Sequence, residues 1–221
     1  MRLIMFDCDG TLVDSQHVIV ECMQMAFRSR GLAPPAPDAV KRIVGLALPE
    51  AIHRLYPEGD PPAIGDLVAA YKECFMEVRA RPDLHEPMFD GVIDILDHLE
   101  AAGYFLGVAT GKSRRGLIAT LEHHGLAKYF VTLQTVDDAP GKPHPGMLER
   151  AMADTGAERG ETVLIGDTVF DMEMALNAGT GAFGVSWGYH DVDELHAAGA
   201  HLVLDRFDEL PPQIARWRKE D

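Results

Sequence analysis

Leu3-Ile4-Met5-Phe6-Asp7-Cys8-Asp9-Gly10-Thr11-Leu12 decides how the rest of this 221-residue chain is read. A short apolar run, rich in branched and aromatic side chains and cut off by Asp and Gly, predicts a buried strand. The C-terminal end of such a strand is where a parallel α/β sheet holds its chemistry. Residues i and i+2 of a strand point the same way, so Asp7 and Asp9 would share a face if the strand ran on; Gly10 predicts a turn instead. Two like charges this close call for a cation or a shared proton. Taken alone, Asp-x-Asp-Gly-Thr is also ordinary turn chemistry, so its weight depends on the other strand ends of the chain.

Downstream, apolar spacing predicts helices and no strand from residue 15 to about 85. Ile19, Cys22, Met23, Ala26 and Phe27 form one stripe, and Leu67, Val68, Tyr71, Cys74, Phe75 and Val78 form the clearest one. Short helices are expected around 38–44 and 49–55, and Arg81-Pro82-Asp83 to Glu86-Pro87 reads as a return linker. From Asp90, a candidate N-cap, helices and strands alternate, with strands expected at 104–110, 130–136, 162–165, 182–187 and 201–204 and a last helix near 213–219. This alternation predicts an α/β fold: a Rossmann-like, mostly parallel sheet formed by residues 1–14 and 87–221, with an inserted α-helical cap over 15–86.

Composition bounds the function. With 20 Lys and Arg against 35 Asp and Glu, the net charge of −15 argues against a nucleic-acid partner and favours a metal cation. Cys8, Cys22 and Cys74 lack CxxC spacing, so neither a disulfide framework nor a zinc site is expected, and a reducing cytoplasm fits. No apolar stretch approaches the roughly 20 residues of a membrane helix, so no membrane partner is expected. The ten histidines suggest no metal site: His123-His124 and the 190–196 segment read as surface, and His144 as a shaping or filler residue. No heptad or interface pattern appears, which leaves monomer and homodimer both open.

Each predicted strand up to Ile165 leaves a polar group at its C-terminal end. These are Asp7 and Asp9, Thr110 before Gly111, Lys142 in Gly141-Lys142-Pro143-His144-Pro145, and Asp167 with Asp171 in Gly166-Asp167-Thr168-Val169-Phe170-Asp171. In this order and spacing the set resembles the four motifs of the haloacid dehalogenase superfamily, and it looks most like the phosphoglycolate phosphatase type. The likeness covers essentially the whole chain. It departs at Gly111, where many relatives carry Asn, which removes a side-chain donor and keeps a backbone one.

The resemblance implies a Mg²⁺-dependent phosphomonoester hydrolase for a small phosphorylated metabolite. Asp7 would be the nucleophile, forming an aspartyl-phosphate, and Asp9 the general acid and then base. Lys142, Thr110 and the Gly111 amide would hold the phosphoryl oxygens. Mg²⁺ would be held by Asp7, the main-chain carbonyl of Asp9 and Asp167, with Asp171 behind them. Asp14 and Ser15 would set a helix N-terminus, and Lys41 and Arg42 would meet a substrate carboxylate or water. A sugar phosphomutase uses the same aspartate pair, but Leu48 stands near where mutases use Arg. A regulatory phosphate-binding module without turnover would be expected to have lost Asp7, Asp9 or Lys142.

Overall fold

The computed structural model describes residues 2–217. Its centre is a sheet of six parallel strands, β1 (Leu3–Phe6), β2 (Phe105–Thr110), β3 (Thr132–Thr135), β4 (Thr162–Gly166), β5 (Gly181–Val185) and β6 (Leu202–Leu204), in the order β3-β2-β1-β4-β5-β6. Ten α-helices accompany it among the described residues: α1 (Gln16–Ser29), α2 (Pro37–Lys41), α3 (Leu48–Leu55), α4 (Pro61–Arg79), α5 (Val92–Ala101), α6 (Arg114–His123), α7 (Gly146–Thr155), α8 (Val169–Ala178), α9 (Val192–Ala197) and α10 (Leu210–Arg216). None among the described residues is long and apolar enough to cross a membrane.

Strand β1 lies between β2 and β4 and is buried along its whole length, which explains its unbroken apolar run. Its side chains alternate between two cores. Ile4 and Phe6 join Leu96, Leu99, Leu117 and Leu121 on one face, whereas Leu3 and Met5 join Met147, Leu148, Met172 and Ala175 on the other. Phe6 pairs in register with Val108 and Ile165, so β1, β2 and β4 deliver their following residues to one edge. The strand order reverses direction at β1 and β4, the position at which open parallel sheets form a crevice.

Helices α1 to α4 pack around a hydrophobic cluster of their own, including Ile19, Met23, Phe27, Val40, Ile52 and Leu67. Asp60 starts the long α4 by accepting from the Ala63 amide (2.9 Å), with Pro61 in the first turn. The chain enters and leaves this block side by side. Asp14 N donates to Pro87 O (2.8 Å), and Phe89 N donates to Leu12 O (3.1 Å). Phe170 of α8 reaches up into the helical cluster.

Several boundaries differ from the pattern-based expectation. Gly91, not Asp90, caps α5, because the entry needs a left-handed residue (φ 83°) that costs glycine nothing. The last helix begins at Leu210 rather than 213, since prolines at 211 and 212 are tolerated in a first turn; Arg218 and Lys219, which the sequence reading placed in it, lie outside the described residues. Helix α8 begins at Val169, ahead of its apolar stripe, because Thr168 and Asp171 form a capping box.

Phe6 is fully buried, with the rings of Phe130 and Phe207 each 6.5 Å away. Phe6→Ala is expected to cost about 3–5 kcal/mol of stability, read as a lower urea midpoint at unchanged slope.

Candidate active site

Asp7 follows β1 directly, and its amide donates to Ile165 O (2.8 Å), which extends the parallel ladder by one bond. Lys142 Nζ lies 2.8 Å from Asp7 Oδ1 and 2.6 Å from Asp171 Oδ1, with all three side chains withdrawn from solvent. Asp171 Oδ2 accepts from the Thr168 amide (3.1 Å) and hydroxyl (2.7 Å), so α8's own N-terminus orients it. Asp167, after β4, accepts from Thr11 Oγ1 (2.9 Å) and from the Tyr189 amide (3.0 Å). Gly10 has a reason beyond its φ of 85°: a Cβ there would stand 2.2 Å from Asp167 Oδ2. The turn and the close approach of Asp167 depend on the same missing methyl.

Asp7, Asp167 and Asp171 each present an oxygen within 4.8 Å of the others, and all three are buried. Their repulsion shows in their acidity. Burial, with Asp171 and Asp9 adding to it, pushes the Asp7 carboxyl up to about 7 against the opposing pull of Lys142. Burial and then Asp7 and Asp171 likewise raise Asp167 well above the carboxylate range. Burial works against the charge on Lys142, but Asp171 and Asp7 outweigh it and hold its pKa above normal. Asp7 Oδ2 has no partner among the described residues, and Asp7 Oδ1 and Asp171 Oδ1 are met by the Lys142 ammonium. A set of hard oxygens with unused lone pairs and excess negative charge fits a divalent cation.

The Asp9 carboxylate is turned away from this cluster. Its Oδ1 accepts from Ser15 Oγ and lies 2.8 Å from Lys112 Nζ. Ser15 and Asp14 stand at the N-terminus of α1 as expected, with Asp14 Oδ1 accepting from the Gln16 amide (3.4 Å), but the Ser15 hydroxyl does not cap the helix because Asp9 engages it. Thr110, buried at the end of β2, accepts from the Lys112 amide (3.3 Å). The loop before α3 closes over this end: a Cβ on Gly111 would sit 2.6 Å from Leu46 O and 2.7 Å from Gly45 O. A groove elsewhere, lined by Met88, Phe89, Trp187 and Phe207, contains none of the strand-end groups Asp7, Asp9, Thr110, Lys142 or Asp167.

Asp7, Lys142, Asp167 and Asp171 thus meet in one contiguous cluster, with Asp9 and Thr110 beside it at the sheet edge. Other residues fall differently from the sequence reading. Lys41 pairs with Asp38, and Arg42 with Glu194. His190 is buried rather than on the surface: it accepts from the Val169 amide (3.2 Å) and its other nitrogen lies 3.2 Å from Arg42 O. His144 is exposed and accepts from the Gly146 amide, a turn contact. Sequence reasoning missed Lys112 and the Tyr189 amide. The first had a signal, lying two residues beyond Thr110; a backbone donor has none.

The sequence profile of the haloacid dehalogenase-like hydrolases matches residues 4–185. The chain belongs to this family. Among its relatives, "Probable phosphatase IndB" of Dickeya dadantii is 36% identical over 211 residues, covering 94% of this chain and 91% of that protein. A phosphoglycolate phosphatase of Caulobacter vibrioides is 31% identical over 210 residues, covering 94% of this chain and 88% of its own. The crystal structure of a "predicted phosphatase from Clostridium acetobutylicum" superposes with a TM-score of 0.86 at 25% identity, covering 97% of this chain and 98% of that one. Within the haloacid dehalogenase-like hydrolases the chain is of the phosphoglycolate phosphatase-like kind.

The raised pKa of Asp7 makes stability depend on pH. The unfolded carboxyl loses its proton near pH 4, whereas the folded one keeps it to about 7, so this contribution is complete at low pH and is lost as pH climbs toward 7. Thermal melts in chelator are expected to show a midpoint falling between about pH 4 and pH 7. Saturating Mg²⁺ should remove most of that slope, and Asp7→Asn should reduce it without metal, leaving the part due to Asp167.

Proposed function

We propose that the protein is a Mg²⁺-dependent phosphomonoester hydrolase acting on a small phosphorylated metabolite of the phosphoglycolate type, through an aspartyl-phosphate on Asp7. The observation that carries this reading is the Asp7 carboxylate, whose Oδ2 has no partner among the described residues while Oδ1 meets Lys142, beside two further buried carboxylates. A free carboxylate oxygen held beside an ammonium is a nucleophile aimed at an anion.

In this reading an Asp7 oxygen attacks phosphorus while the bond to the leaving oxygen breaks, and Asp9 gives that oxygen a proton. Asp9 then takes a proton from water as the water attacks phosphorus, releasing inorganic phosphate and restoring Asp7. Lys142, Thr110 Oγ1 and the Gly111 amide hold the phosphoryl oxygens as charge shifts onto them. Asp7, the Asp9 carbonyl and Asp167 would hold the Mg²⁺, with Asp171 keeping Lys142 and α8 in place behind them. When bound, the ion supplies the positive charge that lets a carboxylate approach a phosphate dianion.

Residues 15–86 act as a cap that opens and closes about the paired crossings at Leu12–Asp14 and Pro87–Phe89, admitting substrate and excluding water. A hydrolase is favoured over a phosphomutase because the position near which mutases use Arg is the apolar Leu48, and Arg42 is held by Glu194. Free Cys8, Cys22 and Cys74 suit the reducing cytoplasm.

Release of phosphate from p-nitrophenyl phosphate tests the reading. Turnover is expected with Mg²⁺, to vanish with chelator and return on adding the metal back. Asp7→Asn should lower kcat by at least about a thousandfold while leaving the fold intact by circular dichroism. Turnover surviving in Asp7→Asn would refute the assignment of the nucleophile.

A further inference from the structure

We infer that Lys112 is a specificity-determining residue, whose ammonium leaves Asp9 for a carboxylate on the leaving-group side of the substrate. This rests on the phosphatase reading and adds to it a recognition element within the chain.

The cations around the site have different commitments. Lys142 lies between Asp7 and Asp171, Arg79 pairs with buried Glu86 (2.7 Å), and Arg42 pairs with Glu194. Lys112 is paired instead with the carboxylate that must itself face the leaving oxygen. Its Nζ is 2.8 Å from Asp9 Oδ1, the same oxygen that accepts from Ser15. While that pairing lasts, Oδ1 is occupied by two donors, and the leaving oxygen has to compete for it.

The surroundings make the pairing exchangeable only for another anion. The Lys112 side chain is 9 % exposed, lies 5.4 Å from the centroid of the Phe75 ring on α4, and follows Gly111, against which the Gly45–Leu46 backbone packs. Asp9, 2.8 Å away, supplies the opposing charge for this ammonium. An ammonium so placed cannot exchange a carboxylate for water without a desolvation penalty. A substrate anion replaces Asp9 at little cost, and Asp9, freed of the ammonium, takes a proton from solvent and turns it toward the leaving oxygen.

Distance limits the substrate. One ordinary hydrogen bond from Asp9 Oδ1 to the leaving oxygen places that oxygen within about 6 Å of Nζ. The anion therefore sits one or two atoms beyond the bridging oxygen. A longer leaving group would carry its charge past Lys112 and meet the Phe75 wall.

The test compares 2-phosphoglycolate with its neutral amide under saturating Mg²⁺. The native enzyme is expected to favour the carboxylate by at least tenfold in kcat/KM. Lys112→Met should bring the ratio near one, chiefly by losing rate on the carboxylate, and Lys112→Arg should restore part of it. Equal slowing of both substrates by Lys112→Met would overturn the inference, leaving Lys112 as a residue that only positions Asp9. So would a native enzyme that does not distinguish the pair.

A second measurement needs no variant. Glycolate should inhibit p-nitrophenyl phosphate turnover by the native enzyme at least tenfold more strongly than glycolamide, and equal inhibition would count against the inference. If the native enzyme turns over the aryl phosphate but ignores the carboxylate, this inference alone falls. If it turns over no phosphomonoester, the phosphatase reading falls and this one with it.

Discussion

Three buried carboxylates gathered within 4.8 Å of one another, two of them paired with one lysine, are the constraint on which the rest of the molecule depends. At low dielectric such a group repels itself strongly, and the chain does not relieve the repulsion by exposure. It holds the groups in place instead. The parallel ladder sets Asp7, α8's capping box sets Asp171, and the Tyr189 amide with Thr11 sets Asp167. The Thr11–Asp167 bond joins residues 156 positions apart, so the site exists only when β1 and β4 are neighbours. Local strain of this kind is tolerated because the strands beneath it are fully buried.

The helical block is held over the site by contacts of unequal strength. The Arg42–Glu194 pair is substantially exposed, and solvent screens such pairs so that they add little stability. Phe170, a core-helix residue buried in the block's own cluster, is worth about 1.5–3 kcal/mol by area. Apolar docking therefore dominates the contact between the block and the sheet domain, and the ion pair adds registration. The backbone contact at Gly111 supplies the fit: a side chain there would collide with two carbonyls, which gives the glycine at this position a packing reason.

His190 shows where pattern reading failed. Its neighbours are charged and loop-like, so a surface position followed from sequence. In the fold its ring bridges the Val169 amide and the Arg42 carbonyl beside the Phe170 ring, and burial with nearby Arg42 lowers its pKa. The Ser15 hydroxyl departs from its pattern in a related way. A serine before a helix is the usual cap, and nothing local reveals that a carboxylate six residues earlier will take its hydroxyl.

The chain's order of apolar runs and glycine stops determined the parallel sheet, the helical block after residue 15, and the appearance of Asp7, Thr110 and Asp167 at strand ends, with Lys142 in the loop after β3. Those are consequences of periodicity and turn chemistry, which act over a few residues. Tertiary structure alone decided that Asp171 and Lys142 pair, that Asp9 turns to Lys112 and Ser15, and that Gly10 and Gly111 leave room for Asp167 and for the Gly45–Leu46 backbone. Each of these depends on the separation and direction of groups far apart in sequence, which spacing along a chain does not encode.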